Sequence, residues 1–338
     1  MSDIRTIEWK SDHLRILDQT LLPLTEHYRE LRTVDDVIQA IQSLAVRGAP
    51  ALGAVGAYGV LIAMNEFQNL DDQLNAIDSI RDSRPTAINL SWAVTRVSAY
   101  LNEGKERVLE EARLIEKEDR DANLAIAAHG VRWLEENLGL DGYRILTHCN
   151  TGTLATTYWG TALGVIRALH DEGKVIEVLA DETRPLLQGS RLTAWELQKL
   201  GISHRIQVDS AAASAIVSGM VDFAIIGADR IANNGDTANK IGSLAVALAC
   251  KRAGVPFLVA APTSTLDMSI LSGADIEIEE RSSSEVTRLG TNEIAPRGVE
   301  VFNPAFDVTP RDLISGIITE VGVFDPMNGQ TFRDFIEE

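Results

Sequence analysis

Cysteine is scarce: Cys149 and Cys250 are the only two in 338 residues. Two thiols make no disulfide framework, and a reducing compartment fits. Positive charge is also short, with 31 Lys and Arg against 49 Asp and Glu, a net charge of −18. Such a surface repels nucleic acid and anionic lipid, so neither is expected as a partner. A small anionic ligand would instead need a local pocket built from a few cations set against the overall field. No uninterrupted apolar run reaches membrane-spanning length. The opening MSDIRTIEWKSDHLRILDQ has no apolar core of signal-peptide type, so the cytoplasm is expected. Repeats, low-complexity tracts and long linkers are absent too.

What is present reads as two domains, 1–125 and 126–338, with the boundary somewhere in 120–142. The first ~20 residues alternate apolar and polar, as in a short hairpin or small sheet. Thr33 to Asp36 form a capping box that opens a helix. Residues 51–66 and 86–117 also carry helical spacing. The N-terminal domain is therefore expected to be mainly helical with a small β element. Beyond residue 143, short β-branched runs (143–147, 175–179, 204–208, 221–226 and 255–260) alternate with helical segments near 152–171, 189–200, 210–219 and 239–253. That alternation predicts an α/β fold, with a C-terminal Rossmann-like, doubly wound parallel sheet.

Ligands of open parallel sheets bind outside the carboxyl ends of the strands. After the first strand comes His148-Cys149-Asn150-Thr151-Gly152, and after the second Asp181-Glu182-Thr183-Arg184-Pro185 with Gln188-Gly189 beyond. After the fourth comes Gly227-Ala228-Asp229-Arg230. Cys149 at such an edge is either a small buried hydrophobe or a reactive thiol, and a helix N-terminus there would favour the thiolate. Cys250 lies on an apolar stripe and reads as core. His148 alternates with Cys149 and reads as structural. Asp229 is a turn-stabilising partner of Arg230 or a general acid with a pKa raised by partial burial. Residues 237–240 read as the opening of a long helix, where Lys240 beside Asn239 makes sense if an anion sits there. Arg47-Gly48-Ala49-Pro50 precedes a helix with Gly53, Gly56 and Gly59. Its glycines follow a helix rather than a strand, so they suggest close helix packing instead of a dinucleotide site. Arg47 and Arg84, each near an expected helix start, are candidate phosphate clamps.

Taken together, VRGAPALGAVGAYG (46–59), SRPTAINLSWAV (83–94), THCNTGTLAT (147–156), DETRPLLQGSRLTAWEL (181–197), IGADRIANNGDTANKIGSLAVAL (226–248) and FNPAFDVTPRDLISGIITEVG (302–322) resemble the methylthioribose-1-phosphate isomerase family. The resemblance spans nearly the whole chain and includes the opening IRTIEWKSDHLRILDQTLLP. It implies catalytic roles for Cys149 and Asp229, and substrate contacts from Arg47, Gly48, Ala49, Arg84, Gln188, Asn239 and Lys240. It further implies a homodimer, a small phosphorylated sugar as substrate, and no metal or nucleotide cofactor.

Two relatives of the same architecture compete with that expectation. A ribose-1,5-bisphosphate isomerase would need extra basic groups for a second phosphate, and the acidity of the chain leans against it. A non-enzymatic regulatory subunit of the eukaryotic translation-initiation exchange factor would not need the Cys149/Asp229 pair. A dehydrogenase is disfavoured by the misplaced glycine pattern.

Overall fold

The structure, a computed structural model, describes residues 4–85 and 87–337. The chain divides into two compact units, residues 1–125 with 151–164, and residues 126–150 with 165–338.

The first unit opens with an antiparallel meander of β1 (Ile7–Trp9), β2 (Leu14–Leu17) and β3 (Tyr28–Leu31), the small sheet its alternation predicts. Helix α1 (Val34–Gln42) starts on the expected capping box: the Thr33 side chain accepts from the Asp36 amide while Asp36 accepts from that of Thr33. Helix α2 (Ala49–Glu66) is buried at every position from Ala51 to Met64, so it is the axis of this core rather than an amphipathic face. Around it lie α3 (Leu70–Arg81), α4 (Ile88–Ser98) and α5 (Lys105–Asn137). A Cβ on Gly56 would lie 2.5 Å from Leu90 Cδ1, and one on Gly53 3.2 Å from the Asn89 carbonyl. The glycines thus let α2 pack closely on α4, as their spacing suggests.

In the second unit the strands are β4 (Tyr143–Thr147), β5 (Val175–Asp181), β6 (His204–Gln207), β7 (Phe223–Ile226), β8 (Arg230–Ala232), β9 (Thr237–Lys240), β10 (Phe257–Ala260), β11 (Leu266–Asp267), β12 (Arg288–Leu289), β13 (Asn292–Glu293), β14 (Phe306–Thr309), β15 (Gly316–Thr319) and β16 (Gly322–Phe324). Between and after them run α6 (Ala162–Asp171), α7 (Ala194–Lys199), α8 (Ala212–Val217), α9 (Ser243–Ala253), α10 (Ser284–Thr287) and α11 (Phe332–Glu337). The main sheet has the order β16-β15-β10-β7-β4-β5-β6, parallel except for β16. This is the doubly wound, Rossmann-like sheet the strand–helix alternation predicts. Its central strands β7 and β10 are buried along their whole length, as two covered faces require. From β4 the chain steps outward to β5 and β6, then returns to the other side of β4 for β7, β10 and β15. The strand order therefore reverses between β4 and β7, which opens a crevice at their carboxyl ends.

Two expected helical stretches are not helical. Residues 152–161 form turns, and the Thr157 and Gly160 amides bond to side chains instead of a helix ladder. Asp119 on α5 accepts from the Thr157 amide and hydroxyl at 2.7 and 2.6 Å, and Asn123 Oδ1 accepts from the Gly160 amide at 2.7 Å. Residues 237–240 are strand β9. Asn234-Gly235, with Gly235 at φ 91°, closes a hairpin from β8, and β14 pairs with β9 on the other edge. Helix α9 begins only at Ser243. Among the described residues no helix is long and apolar enough to cross a membrane.

Candidate active site

Cys149 lies two residues beyond β4 in a backbone conformation that side chains disfavour, with φ 65°. Such a residue stores on the order of 1–3 kcal/mol and persists only where its surroundings over-determine it. Here the surroundings are explicit. The Cys149 amide donates to Thr183 Oγ1 at 2.9 Å, and Thr193 Oγ1 donates to the Cys149 carbonyl at 2.6 Å. Thr183, itself at φ 63°, donates in turn to the Asp181 carbonyl at 3.0 Å. Two threonines from the segment after β5 thus grip the backbone of Cys149 on both sides, and the side chain is buried. The expected helix N-terminus is not there, because the chain after Cys149 runs through turns until Ala162. Cys250, by contrast, is an inert core thiol on α9, pushed up to about 12 by burial.

Gln188 is buried just before a π-helical turn, Gly189–Thr193, that carries Thr193 into place. Such turns recur at functional sites. A Cβ on Gly189 would lie 1.6 Å from the Asp181 carbonyl, so this turn is pressed against the end of β5. Among the described residues nothing hydrogen-bonds Gln188 Oε1, a buried acceptor left open.

Asp229 sits between β7 and β8, on the strand adjacent to β4. Its amide donates to the Ala238 carbonyl at 2.9 Å, so the hairpin bearing Asn239 and Lys240 also bears Asp229. Arg230 pairs with Asp267 at 3.8 Å. Asp229 is exposed rather than partly buried, because it leaves the sheet at the β7–β8 turn.

Asn239 is buried and donates to Ser243 Oγ at 2.8 Å. Lys240 Nζ donates to the Ala305 carbonyl at 2.9 Å and lies 4.5 Å from the centre of the Phe306 ring. Lys240 is the last residue of strand β9 and not part of a helix first turn, so its position does not call for an anion. Moreover the amides at the start of α9 already have an anion. Asp307 accepts from Gly242 and Leu244 at 2.8 and 3.1 Å.

The remaining expected residues belong to the first unit. Arg47 is half-buried, and Gly48 and Ala49 form the start of α2. Gly48 has φ 96° and lies so near Ala155 that a Cβ would meet its carbonyl oxygen at 2.3 Å. Arg84 is half-buried in a bend four residues before α4.

One cluster was not foreseen. His148, Asp181 and Asp209 converge, the one group of metal-ligand type found among the described residues. Their atoms are already engaged. His148 Nδ1 meets Asp181 Oδ2 and Nε2 meets the Ile241 carbonyl, each at 2.9 Å. Both oxygens of Asp209 accept backbone amides, from Thr183 and Arg184 at 2.7 Å each. The donors suit a hydrogen-bond network and leave the histidine no lone pair for a metal. Thr183, Thr193 and Asp307 also escaped sequence reasoning, although each lies within or beside a stretch already marked by the resemblance.

Comparison with known proteins adds the family. Residues 45–326 match the model of the Initiation factor 2 subunit family. Methylthioribose-1-phosphate isomerase 2 of Pseudothermotoga lettingae is 48% identical, over 100% of this chain and 99% of that protein. The crystal structure of 5-methylthioribose 1-phosphate isomerase from Pyrococcus horikoshii superposes with a TM-score of 0.88 at 40% identity, covering 98% of this chain and 95% of that one. The chain belongs to the methylthioribose-1-phosphate isomerase family, within the wider Initiation factor 2 subunit family. A structure described as translation initiation factor eIF-2B, subunit delta, from A. fulgidus is equally similar, with a TM-score of 0.89, 40% identity, and 99% and 100% of the two chains covered. Likeness to methylthioribose-1-phosphate isomerases therefore extends through both units and is not confined to one motif.

Proposed function

We propose that this chain is an aldose–ketose isomerase converting 5-methylthioribose 1-phosphate to 5-methylthioribulose 1-phosphate, a step of methionine salvage. The observation that carries this reading is the pair of reactive side chains at one sheet edge. Cys149 and Asp229 follow adjacent strands, β4 and β7, where the strand order reverses. End-to-end likeness to proteins bearing that name supports the substrate.

The chemistry follows from the substrate. Phosphate on the anomeric oxygen blocks the free aldehyde that an ordinary aldose isomerase starts from. Asp229, protonated when substrate covers it, donates to the ring oxygen as the C1–O4 bond breaks, leaving C1 electron-poor. Cys149, as thiolate, takes the C2 hydroxyl proton while hydride moves from C2 to C1. C2 becomes the ketone and the phosphate stays on C1. Proton return from Cys149 to Asp229, through solvent, resets the site. A base that instead removes the C2 proton would give an enediol, and the electron-poor C1 favours hydride. Lys240 and Asn239 bind phosphate and the open Oε1 of Gln188 accepts from a sugar hydroxyl, while Arg47, Gly48, Ala49 and Arg84 are assigned as substrate contacts by the family resemblance. That grip supplies remote binding energy for orientation. In this reading 126–338 is the catalytic domain, 1–125 the N-terminal domain, and the enzyme a cytoplasmic homodimer needing no cofactor.

The test is turnover of 5-methylthioribose 1-phosphate by the pure protein, with ribose 1,5-bisphosphate alongside, for wild type and Cys149→Ser. A serine hydroxyl, with a pKa far above neutral, cannot serve as the base, so most activity should vanish while circular dichroism stays unchanged. Near-normal turnover by the variant removes Cys149 from the mechanism. A non-catalytic subunit role is favoured by the name of the A. fulgidus structure. Absence of turnover with either substrate would favour that role.

A further inference from the structure

We propose that His148 is a positioning residue that clamps the turn after β9 to the strand ends holding Cys149. The proposal rests on the reading of Cys149, Asn239 and Lys240 as active-site residues.

The geometry is a three-way tie. The ring leaves the chain one residue before Cys149, just beyond the end of β4, and only 1% of it is exposed. Nδ1 meets Asp181 at the end of β5, two residues before the Thr183 that grips Cys149. Nε2 meets the carbonyl of Ile241, the residue after Lys240. The neighbouring Gly242 lies close against the ring: at φ 109°, a Cβ there would sit 2.8 Å from Cε1 and 3.0 Å from Nε2. One imidazole thus bridges the turn after Lys240 and the end of β5, beside the link that the Asp229 amide makes to Ala238.

Proton counting explains how the tie holds. The Ile241 carbonyl can only accept, so Nε2 carries hydrogen. The contact between Nδ1 and Asp181 needs a second hydrogen, whichever atom bears it. The pair therefore keeps one proton that a free histidine and aspartate would release. Burial by itself drives the imidazole down, but the hydrogen bond and charge of Asp181 outweigh it and hold the pKa above the ordinary 6.5. The facing groups favour the proton: Asp181 from β5, Asp209 after β6 and Asp307 from β14 all carry carboxylates toward the ring. Gln207 donates to the far oxygen of Asp181 at 2.8 Å, and the Cys250 thiol of α9 feels the Asp181 charge. Once the shared proton leaves, a nitrogen lone pair faces an acceptor and the tie opens.

The experiment uses the full-length protein and two partial mimics of the ring. His148→Asn presents its amide nitrogen near the position of Nδ1 and keeps the Asp181 arm. His148→Gln reaches toward the position of Nε2 and keeps the Ile241 arm. KM, kcat and pH profiles are measured with 5-methylthioribose 1-phosphate, together with hydrogen exchange of the 239–244 backbone. His148→Asn should raise KM about tenfold or more, the effect of losing one hydrogen bond to a charged group, and speed exchange at 239–244. His148→Gln should stay within about threefold of wild type in KM, and both should keep kcat within about threefold. Wild-type KM should rise as pH passes the pair's raised value, and Asp181→Asn should move that rise to lower pH. Equal losses in both variants confined to kcat, or unchanged exchange at 239–244 in His148→Asn, would overturn the clamp. Hydrogen exchange needs no turnover, so a protein inactive on this substrate would refute the proposed reaction and leave the clamp to be judged by exchange. Should the His148 variants fail to fold, Asp181→Asn carries the test alone: a KM profile and an exchange rate unmoved by that change sink the proposal.

Discussion

Replacing Gly48 with alanine imposes two separable costs, and Gly104 separates them. Both glycines have nearly the same φ, 96° and 94°, with ψ of 138° and 170°. An alanine at either pays for a conformation that is almost reserved to glycine, roughly 1–3 kcal/mol. At Gly104 nothing lies within 4 Å of the added Cβ, so the cost ends there. At Gly48 the Cβ would lie 2.3 Å from the oxygen, 2.4 Å from the Cα and 2.7 Å from the carbonyl carbon of Ala155. Those are backbone atoms, which cannot swing aside like the tip of a side chain, and real contacts stay beyond 3.0 Å. The start of α2 must therefore move off Ala155. That strains the 3.2 Å bond from the Ala51 amide to the Ala155 carbonyl, worth about 0.5–1.5 kcal/mol. Overpacking adds about 1–3 kcal/mol. Gly48→Ala should thus be about 1.5–4.5 kcal/mol more destabilising than Gly104→Ala, a large share of a typical total of about 5–15 kcal/mol. Urea denaturation followed by circular dichroism reads the difference as a shift in midpoint at unchanged slope. Equal destabilisation within about 0.5 kcal/mol would show that backbone conformation alone requires Gly48, and that the close approach to Ala155 costs nothing.

Asp229→Asn keeps shape but cannot donate the same proton, so kcat should fall while substrate binding stays within about tenfold; a change in KM alone would make Asp229 a binding residue. Lys240→Ala should weaken binding of phosphate-bearing ligands by about 1.5–3 kcal/mol, and unchanged affinity for product or inorganic phosphate removes it from the anion site. The His148–Asp181 pair keeps in the folded state a proton that the unfolded chain releases near 6.5, so its stabilisation is full below that pH and is lost as pH rises through the pair's raised value. Urea midpoints should accordingly fall from about pH 6 to 9 in wild type more than in His148→Gln; parallel profiles would contradict the assignment. Reaction in D₂O should leave C1 of the product essentially free of deuterium if hydride migrates. Substantial deuterium at C1 would replace that route with an enediol, whereas its absence is weaker support because a shielded base can return the same proton.

The parts of the fold legible in the sequence are those set by local periodicity and caps. Thr33 and Asp36 announce α1 because both halves of a capping box lie within four residues. Among the five runs from Tyr143 to Ala260, β7 and β10 announce themselves most clearly because burial on both faces leaves them wholly apolar, whereas the edge strand β6, HRIQ, is polar and has no buried residue. Residues 237–240 misled because Thr-Ala-Asn-Lys carries no strong strand pattern. Their strand state depends on β14, nearly seventy residues further on, and no local reading reaches that far. The turns at 152–161 escaped for a related reason. Asp119 and Asn123, more than thirty residues earlier, supply the bonds that replace a helix.

The candidate site divides along the same line. Cys149, Asp229 and Gln188 were visible because each follows a strand-like run, and the end of a parallel strand is where chemistry collects. What holds them was not visible. Thr183, Thr193 and Asp307 act through hydrogen bonds to backbone atoms 34, 44 and about 65 positions away. Hydroxyls and carboxylates in that role look like any other loop residue. His148 shows the limit most clearly. Strand alternation sets it opposite Cys149 and from that alone it reads as structural, but both residues lie beyond β4, where Cys149 has a positive φ and alternation no longer governs direction. Whether a buried histidine is filler or a clamp depends on what faces its two nitrogens. Here one faces a carboxylate and the other a carbonyl, from segments 33 and 93 positions along the chain. Two acceptors on opposite sides of one ring impose a proton on it, and a ring that must keep its proton ties the geometry of this site to pH.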